Sequence, residues 1–256
     1  MSLTIEDLSF HVFSFIENLP GFRALQKDVK PGCPPSAVES WHRENAPLVL
    51  PNDLLGFLSF TNGLSVRWKA LNVQTEIVVG AFSINSINNI VVLEDAPPVL
   101  IPTSENSDLF KGVADEARAH VHERVAVLIE RNLKVGDVAL VFNLDVDGNV
   151  VVGPTGTSEP EVWFRDHRPF LRQNGSGGQG ISSGSGGENA PSAWHYIARS
   201  FSCYYRLLLV HLGILGWQFA FTPRGLAPLT VQWMRLYCPE RLSLDTAHRP
   251  HPRTAT

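Results

Sequence analysis

The stretch Leu50-Pro-Asn-Asp-Leu-Leu-Gly-Phe-Leu-Ser-Phe-Thr-Asn-Gly-Leu-Ser-Val-Arg-Trp-Lys-Ala70 decides the fold class, because its hydrophobic period changes halfway along. From Pro51 to Phe60 the apolar residues fall at helical spacing. Thr61-Asn62-Gly63 ends that run, and Gly63 can take the left-handed conformation that closes a helix. From Leu64 the period is two: Leu64, Val66, Trp68 and Ala70 alternate with Ser65, Arg67 and Lys69, as in a strand buried on one face. A short helix feeding a half-buried strand points to an α+β domain, with helices packed on an antiparallel sheet.

The flanking sequence extends this pattern. Upstream, residues 3–19 place Ile5, Leu8, Val12, Phe15, Ile16 and Leu19 on one stripe of an amphipathic helix that Pro20-Gly21 stops. Lys30 to Pro35 is turn-rich, and Ser36 to Asn45 reads as a short helix with Ser36 as its cap. Downstream, Glu76–Ile84, Val125–Arg131, Asp137–Asn143, Asn149–Gly153 and Glu161–Arg165 supply five more strands. With Leu64–Ala70 the expectation is a twisted, largely antiparallel sheet of about six strands flanked by helices. Glu94 to Ala117, rich in Pro, Asp and Glu, reads as a long loop, and the Gly/Ser run at 174–187 as a flexible insert. A helix from Pro191 to Leu212, with Trp194, Ile197, Phe201, Tyr204, Tyr205 and Leu208 on its apolar face, precedes a last helix from Pro228 to about Tyr237. One domain over residues 1–239 and an unstructured tail at 240–256 complete the expected layout.

Composition bounds the chemistry. The chain has 256 residues, 44% of them hydrophobic and 18% charged, with 21 Lys+Arg against 25 Asp+Glu for a net charge of −4. A chain of this size buries a sizeable core, and its charge balance argues against a nucleic-acid binder. Cys33, Cys203 and Cys238 are odd in number and form no CxxC pair, so neither a disulfide framework nor a zinc knuckle is indicated. The N-terminal stretch lacks a basic region before its apolar residues and carries Glu6, Asp7 and Glu17, unlike a secretory signal. The longest apolar run, Leu207 to Trp217, is too short to cross a bilayer. The expectation is a soluble intracellular protein, with no membrane partner.

Catalytic patterns are absent. There is no P-loop, no GxSxG and no HExxH. Asp145-Val-Asp147-Gly148-Asn149 has its glycine fourth, where a calcium loop needs it sixth, and reads as a hairpin turn between strands. His120 and His122 sit at strand spacing without a nameable third ligand, and Cys203 reads as a small core residue. No catalytic, cofactor-binding or metal site is expected, and no enzyme. What remains is surface chemistry: Arg165, His167, Arg168 and Arg172 stand against Asp166 alone, and six Trp residues fall at element edges or on helical faces. Arginine recognises carboxylates in bidentate fashion, and aromatics with arginine anchor interfaces. The expected partner-binding residues are Arg165, Arg168, Tyr204, Tyr205, Arg206, Trp217 and Trp233.

A family resemblance sharpens this. The run Leu50–Gly63, with its proline, acidic helical turn, aromatic and terminal Asn-Gly before a strand, resembles the signature of the SUKH superfamily of Smi/Knr-like domains. Glu39-Ser-Trp41, Val66-Arg-Trp68 and Gly80-Ala-Phe-Ser-Ile-Asn-Ser-Ile87 extend the match. Val38 to Ile90 as a block resembles one branch, the SUKH-type subunits of tubulin polyglutamylase complexes. So do Glu161–Phe164, Phe201–Gly213, Trp217–Thr222 and Gln232-Trp233. The Gly/Ser insert interrupts the similar region, and the Lys-rich C-terminal extension of animal members is missing. The resemblance implies a non-catalytic scaffold or adaptor subunit without cofactor. Its partners would be a tubulin-tyrosine-ligase-like glutamylase, the other complex subunits and tubulin or microtubules, in the cytoplasm at a ciliary basal body or centriole. A SUKH-type binding module serving an unrelated partner is the alternative.

Overall fold

The structure is a computed structural model and describes residues 4–72, 74–99, 121–132, 135–152, 159–167 and 193–247. Seven strands form one sheet whose spatial order follows the chain: β1 (Phe22–Val29), β2 (Leu64–Asn72), β3 (Thr75–Ile84), β4 (Glu123–Asn132), β5 (Gly136–Leu144), β6 (Glu161–Asp166) and β7 (Trp194–Ala198). Every neighbouring pair is antiparallel. The α+β class holds. Five of the six expected strands are present; β1 and β7 are additional. Asn149–Gly153 is not a strand over its described residues 149–152, where Val150 forms a single bridge to Leu144. The turn before it is as expected: the Asp145 carboxylate accepts the Asp147 and Asn149 amides, both at 2.9 Å, and Gly148 has φ +77°.

The alternation in β2 is realised in three dimensions. Leu64, Val66, Trp68 and Ala70 are buried against the helices, while Ser65 and Arg67 are exposed on the opposite face. The helices α3 (Pro35–Glu44), α4 (Asn52–Phe60), α5 (Phe201–Val210) and α6 (Pro228–Tyr237) close the inner layer with α1 (Ile5–Leu8) and α2 (Val12–Glu17). Phe57 of α4 meets Phe201 and Tyr205 of α5, each at 5.3 Å between ring centroids. The Trp68 indole N–H donates to the Leu212 carbonyl at 2.8 Å. Close packing at that point requires Gly80: a Cβ there would lie 2.0 Å from the Trp68 ring nitrogen.

Four local expectations are corrected. The helix over residues 3–19 breaks at Phe10 and His11, both at positive φ, and the His11 N–H closes the first turn on Glu6 O at 2.8 Å. The break puts the Ser9 hydroxyl 2.9 Å from that of Tyr205 and rotates the stripe, so Phe13 and Ile16 are buried while Phe15 stays exposed. Ser36 is not a cap, because α3 begins at Pro35 with Pro34 in the cap position. Within the helix expected from Pro191, Trp194–Ala198 is instead a strand, β7. Only at Ser200, whose hydroxyl accepts the Cys203 amide at 3.3 Å, does α5 start. Finally, over its described residues the tail is helical rather than unstructured: α7 (Pro239–Ala247) packs Leu242 and Asp245 inward, and 248–256 lie outside the described residues. The Gly/Ser insert and most of Glu94–Ala117 lie outside the described residues.

The sheet has one weak junction. β3 and β4 share a single register pair, Ile84 with Glu130. Beyond it the strands separate and other chain segments pair with them. Gly213–Leu215 bonds to β3 through Ala81 N to Gly213 O (2.9 Å) and Leu215 N to Val79 O (3.0 Å). Val91–Leu93 bonds to β4 through Leu93 N to Ala126 O and Leu128 N to Val91 O, both at 2.8 Å.

Candidate functional site

Among the described residues, those expected to meet partners do not form one surface. Tyr204, Tyr205 and Trp217 belong to the core. The inward face of α5 takes both tyrosines because residues 201, 204, 205 and 208 lie on one side of a helix. Tyr204 stacks on Trp217 at 5.9 Å, whereas Tyr205 turns toward Phe201 and Ser9. These three rings are therefore corrected from partner contacts to packing. Arg206 is exposed, and Trp233 is half-buried and stacked on Tyr237 at 5.7 Å. Arg168 and Arg172 lie outside the described residues, as does His120.

Arg165 is committed to the molecule's own acids. On β6 it stands opposite Asp137 of β5, bonds both Asp137 and Asp95, and lies 5.3 Å over the Trp194 ring. Asp137 also accepts from Arg131 at 3.2 Å and from His167 at 2.9 Å. Burial acts to raise its carboxyl, but the bonds and charges of Arg165 and His167 outweigh that and hold it below the usual range. A second cluster ties down α7. His211, fully buried and 4.3 Å from the Trp217 ring, meets Asp245 through Nε2 at 2.9 Å, and Arg241 bonds the same carboxylate. Burial again raises the Asp245 carboxyl, and His211 and Arg241 more than reverse it.

A candidate binding cleft lies at the weak junction. Where β3 and β4 part, a cleft of about 660 Å³ opens, walled by β2, β3 and the end of β4 on one side and by residues 215–230 on the other. Strand alternation divides its lining. Ser65, Arg67, Ala81 and Ser83, with Arg131 and Asn132, form the mouth, while Phe82, Val135, Phe219 and Glu130 lie deeper. Glu130 is 2% exposed. It accepts the Tyr204 hydroxyl proton and, at 3.4 Å, the Ser83 N–H. No cation is bonded to it among the described residues. Burial pushes its carboxyl up to about 7, against the two hydrogen bonds, which pull the other way. Burial together with the neighbouring Glu130 charge pushes the Tyr204 phenol well above its ordinary value. Beside them Gln218 is buried with its side-chain oxygen unpartnered.

Sequence reasoning passed over Glu130, Arg67 and Arg131. The available signal was a carboxylate closing the run Val125-Ala-Val-Leu-Ile129, where β-strand burial makes an acid costly. Among the described residues no group of His, Cys, Asp and Glu is arranged to hold a metal ion, and no helix is long and apolar enough to cross a membrane. Cys203, near the start of α5, has its thiol drawn down by the Ser200 hydroxyl and then by Arg199.

Compared with curated proteins, the chain is 26% identical over 243 residues to the mouse protein named tubulin polyglutamylase complex subunit 2, across 92% of this chain and 72% of that one. The human protein of that name is 26% identical over 242 residues, across 92% and 70%. The rat protein is 26% identical over 243 residues, across 92% and 72%. No family model and no solved structure matches the chain.

Proposed function

We propose that this chain is a non-catalytic subunit of a tubulin polyglutamylase complex, acting as a scaffold that brings a tubulin-tyrosine-ligase-like glutamylase together with other subunits and with tubulin. The observation that carries the proposal is the similarity to three proteins named as subunit 2 of that complex, co-linear over 92% of the chain. The architecture is compatible with a binding role: the buried ionic groups tie β5 to β6 and α7 to the core, as a rigid platform requires. A SUKH-type ancestry of the domain is part of the same proposal and rests on the Leu50–Gly63 run. So is a site of action at ciliary or centriolar microtubules.

Affinity purification of the tagged full chain from its own cells, with glutamylation of added tubulin as readout, tests this. The expected result is recovery of a ligase-like enzyme and tubulin-glutamylating activity in the eluate, with none from the chain alone. Recovery of neither enzyme nor activity refutes it, and ATP-dependent glutamylation by the purified chain alone refutes the non-catalytic assignment.

A further inference from the structure

The cleft at the β3–β4 junction has features that structural packing does not require. Arg67 projects from β2 at its mouth and is exposed, with no acidic side chain in ion-pair contact among the described residues. Arg131 stands on β4 across the opening. Its salt-bridge partner among the described residues, Asp137, is shared with Arg165 and His167, so that one carboxylate is divided among three donors. Ser65, Ser83 and Asn132 add hydroxyl and amide groups, and Phe82, Val135 and Phe219 give the depth an apolar lining. Its walls are β2, β3 and the end of β4 on one side and residues 215–230 on the other.

We propose that this cleft binds an acidic peptide, with Arg67 and Arg131 holding its carboxylates from opposite sides of the junction. Charge complementarity selects the occupant. Two guanidiniums flanking a slot suit carboxylates on neighbouring side chains, which they bind bidentately, while the methylenes of glutamate suit the apolar depth. The inference concerns this chain alone and stands whether or not it joins a glutamylase complex.

Glu130 sets the condition under which the cleft works. It faces Tyr204 from α5 and the Ser83 N–H from β3, with Arg131 beside it on β4, Arg67 across the opening on β2 and Gln218 beyond Tyr204. Ionised, it adds a negative charge at the cleft that repels an anionic guest; protonated, it adds none. Acidic peptide binding is therefore tighter at pH 6 than at pH 8.5, and binding raises the affinity of Glu130 for its proton.

The test is fluorescence anisotropy of a labelled pentaglutamate peptide with the full chain, alongside pentaglutamine. Saturable binding is expected for pentaglutamate, at least tenfold tighter than for pentaglutamine and several-fold tighter at pH 6 than at pH 8.5. Arg67→Gln should weaken it about tenfold, whereas Arg23→Gln, which removes the same charge from β1 outside the cleft, should leave it unchanged. Arg67 makes no ion pair among the described residues, so the variant should keep the parent melting temperature. Glu130→Gln should remove the pH dependence. Equal binding of the two peptides overturns the proposal, as do equal effects of the two arginine substitutions or no saturation. If Glu130→Gln does not fold, affinity that is flat with pH in the parent protein overturns the role of Glu130.

Discussion

Replacing Glu130 by Gln should make the protein more stable at alkaline pH, and the size of the gain follows from the structure. The carboxyl ordinarily titrates near 4.5 and is pushed up to about 7 by burial. Between those values the folded chain holds a proton that the unfolded chain has released, so stability is greatest below 4.5 and is lost as pH rises through 7. At 1.36 kcal/mol per unit the full loss is about 3 kcal/mol, of which about 2 kcal/mol falls between pH 5.5 and 8.5. Glutamine keeps an oxygen for the Tyr204 hydroxyl but cannot ionise. The assay is urea unfolding of parent and variant, followed by circular dichroism at half-unit intervals across that range. His42 and His195, whose rings burial holds below their ordinary value, work in the opposite direction as pH falls through 6.5. Both are common to the two proteins and cancel in the difference. The variant's advantage should grow by about 2 kcal/mol toward pH 8.5. A difference that is constant with pH, or that shrinks as pH rises, refutes the account of Glu130 as an acid buried without a cation.

Further outcomes follow from other parts of the fold. Gly80→Ala should destabilise by about 2 kcal/mol or more in denaturant titration, since the added carbon meets the Trp68 ring at 2.0 Å and the core must shift to admit it. Asp137→Asn should cost about 2–3 kcal/mol by leaving Arg131, Arg165 and His167 around a neutral group. Asp137 and Asp245 are both held below their ordinary values. Their contribution is present above about pH 4 and lost as pH falls below it, so acid unfolding of Asp137→Asn should be less steep than that of the parent. Ending the chain at Cys238 removes the Asp245 partner of buried His211, and differential scanning calorimetry should show a fall in melting temperature of several degrees.

The parts of this architecture legible in the sequence are those where local pattern and tertiary burial agree. The Leu50–Ala70 stretch shows both its helix and its strand because α4 and β2 each bury one regular face. β1 escaped notice because it is an edge strand: Arg23, Lys27 and Asp28 interrupt its alternation, as they do in edges that resist aggregation. β7 reads as helix in the sequence because Trp194, Ile197 and Phe201 fall by coincidence at helical spacing, while the deciding signal, Ser200 capping α5, lies inside that same stretch. α7 carried its own signal, Pro239 then Glu240 in the first turn, but its short apolar set gives little weight without the buried His211 it covers. The cleft was illegible for a different reason. Its mouth joins Arg67 and Arg131, 64 positions apart, and exists only because β3 and β4 separate, which no local period records.

The pairing of Trp68 with Leu212 has a consequence for how the molecule is made. The indole must wait for a carbonyl 144 residues further along, and the β3 backbone at Ala81 waits for Gly213. At about 5–20 residues per second a ribosome needs about 7–30 s to deliver those acceptors. Throughout that interval the part of the hairpin's hydrophobic side that the segment from Phe201 to Leu215 covers stays exposed in the cell. Synthesis of this chain should therefore depend on a chaperone that shields the nascent β2–β3 ribbon until the segment from Phe201 to Leu215 emerges.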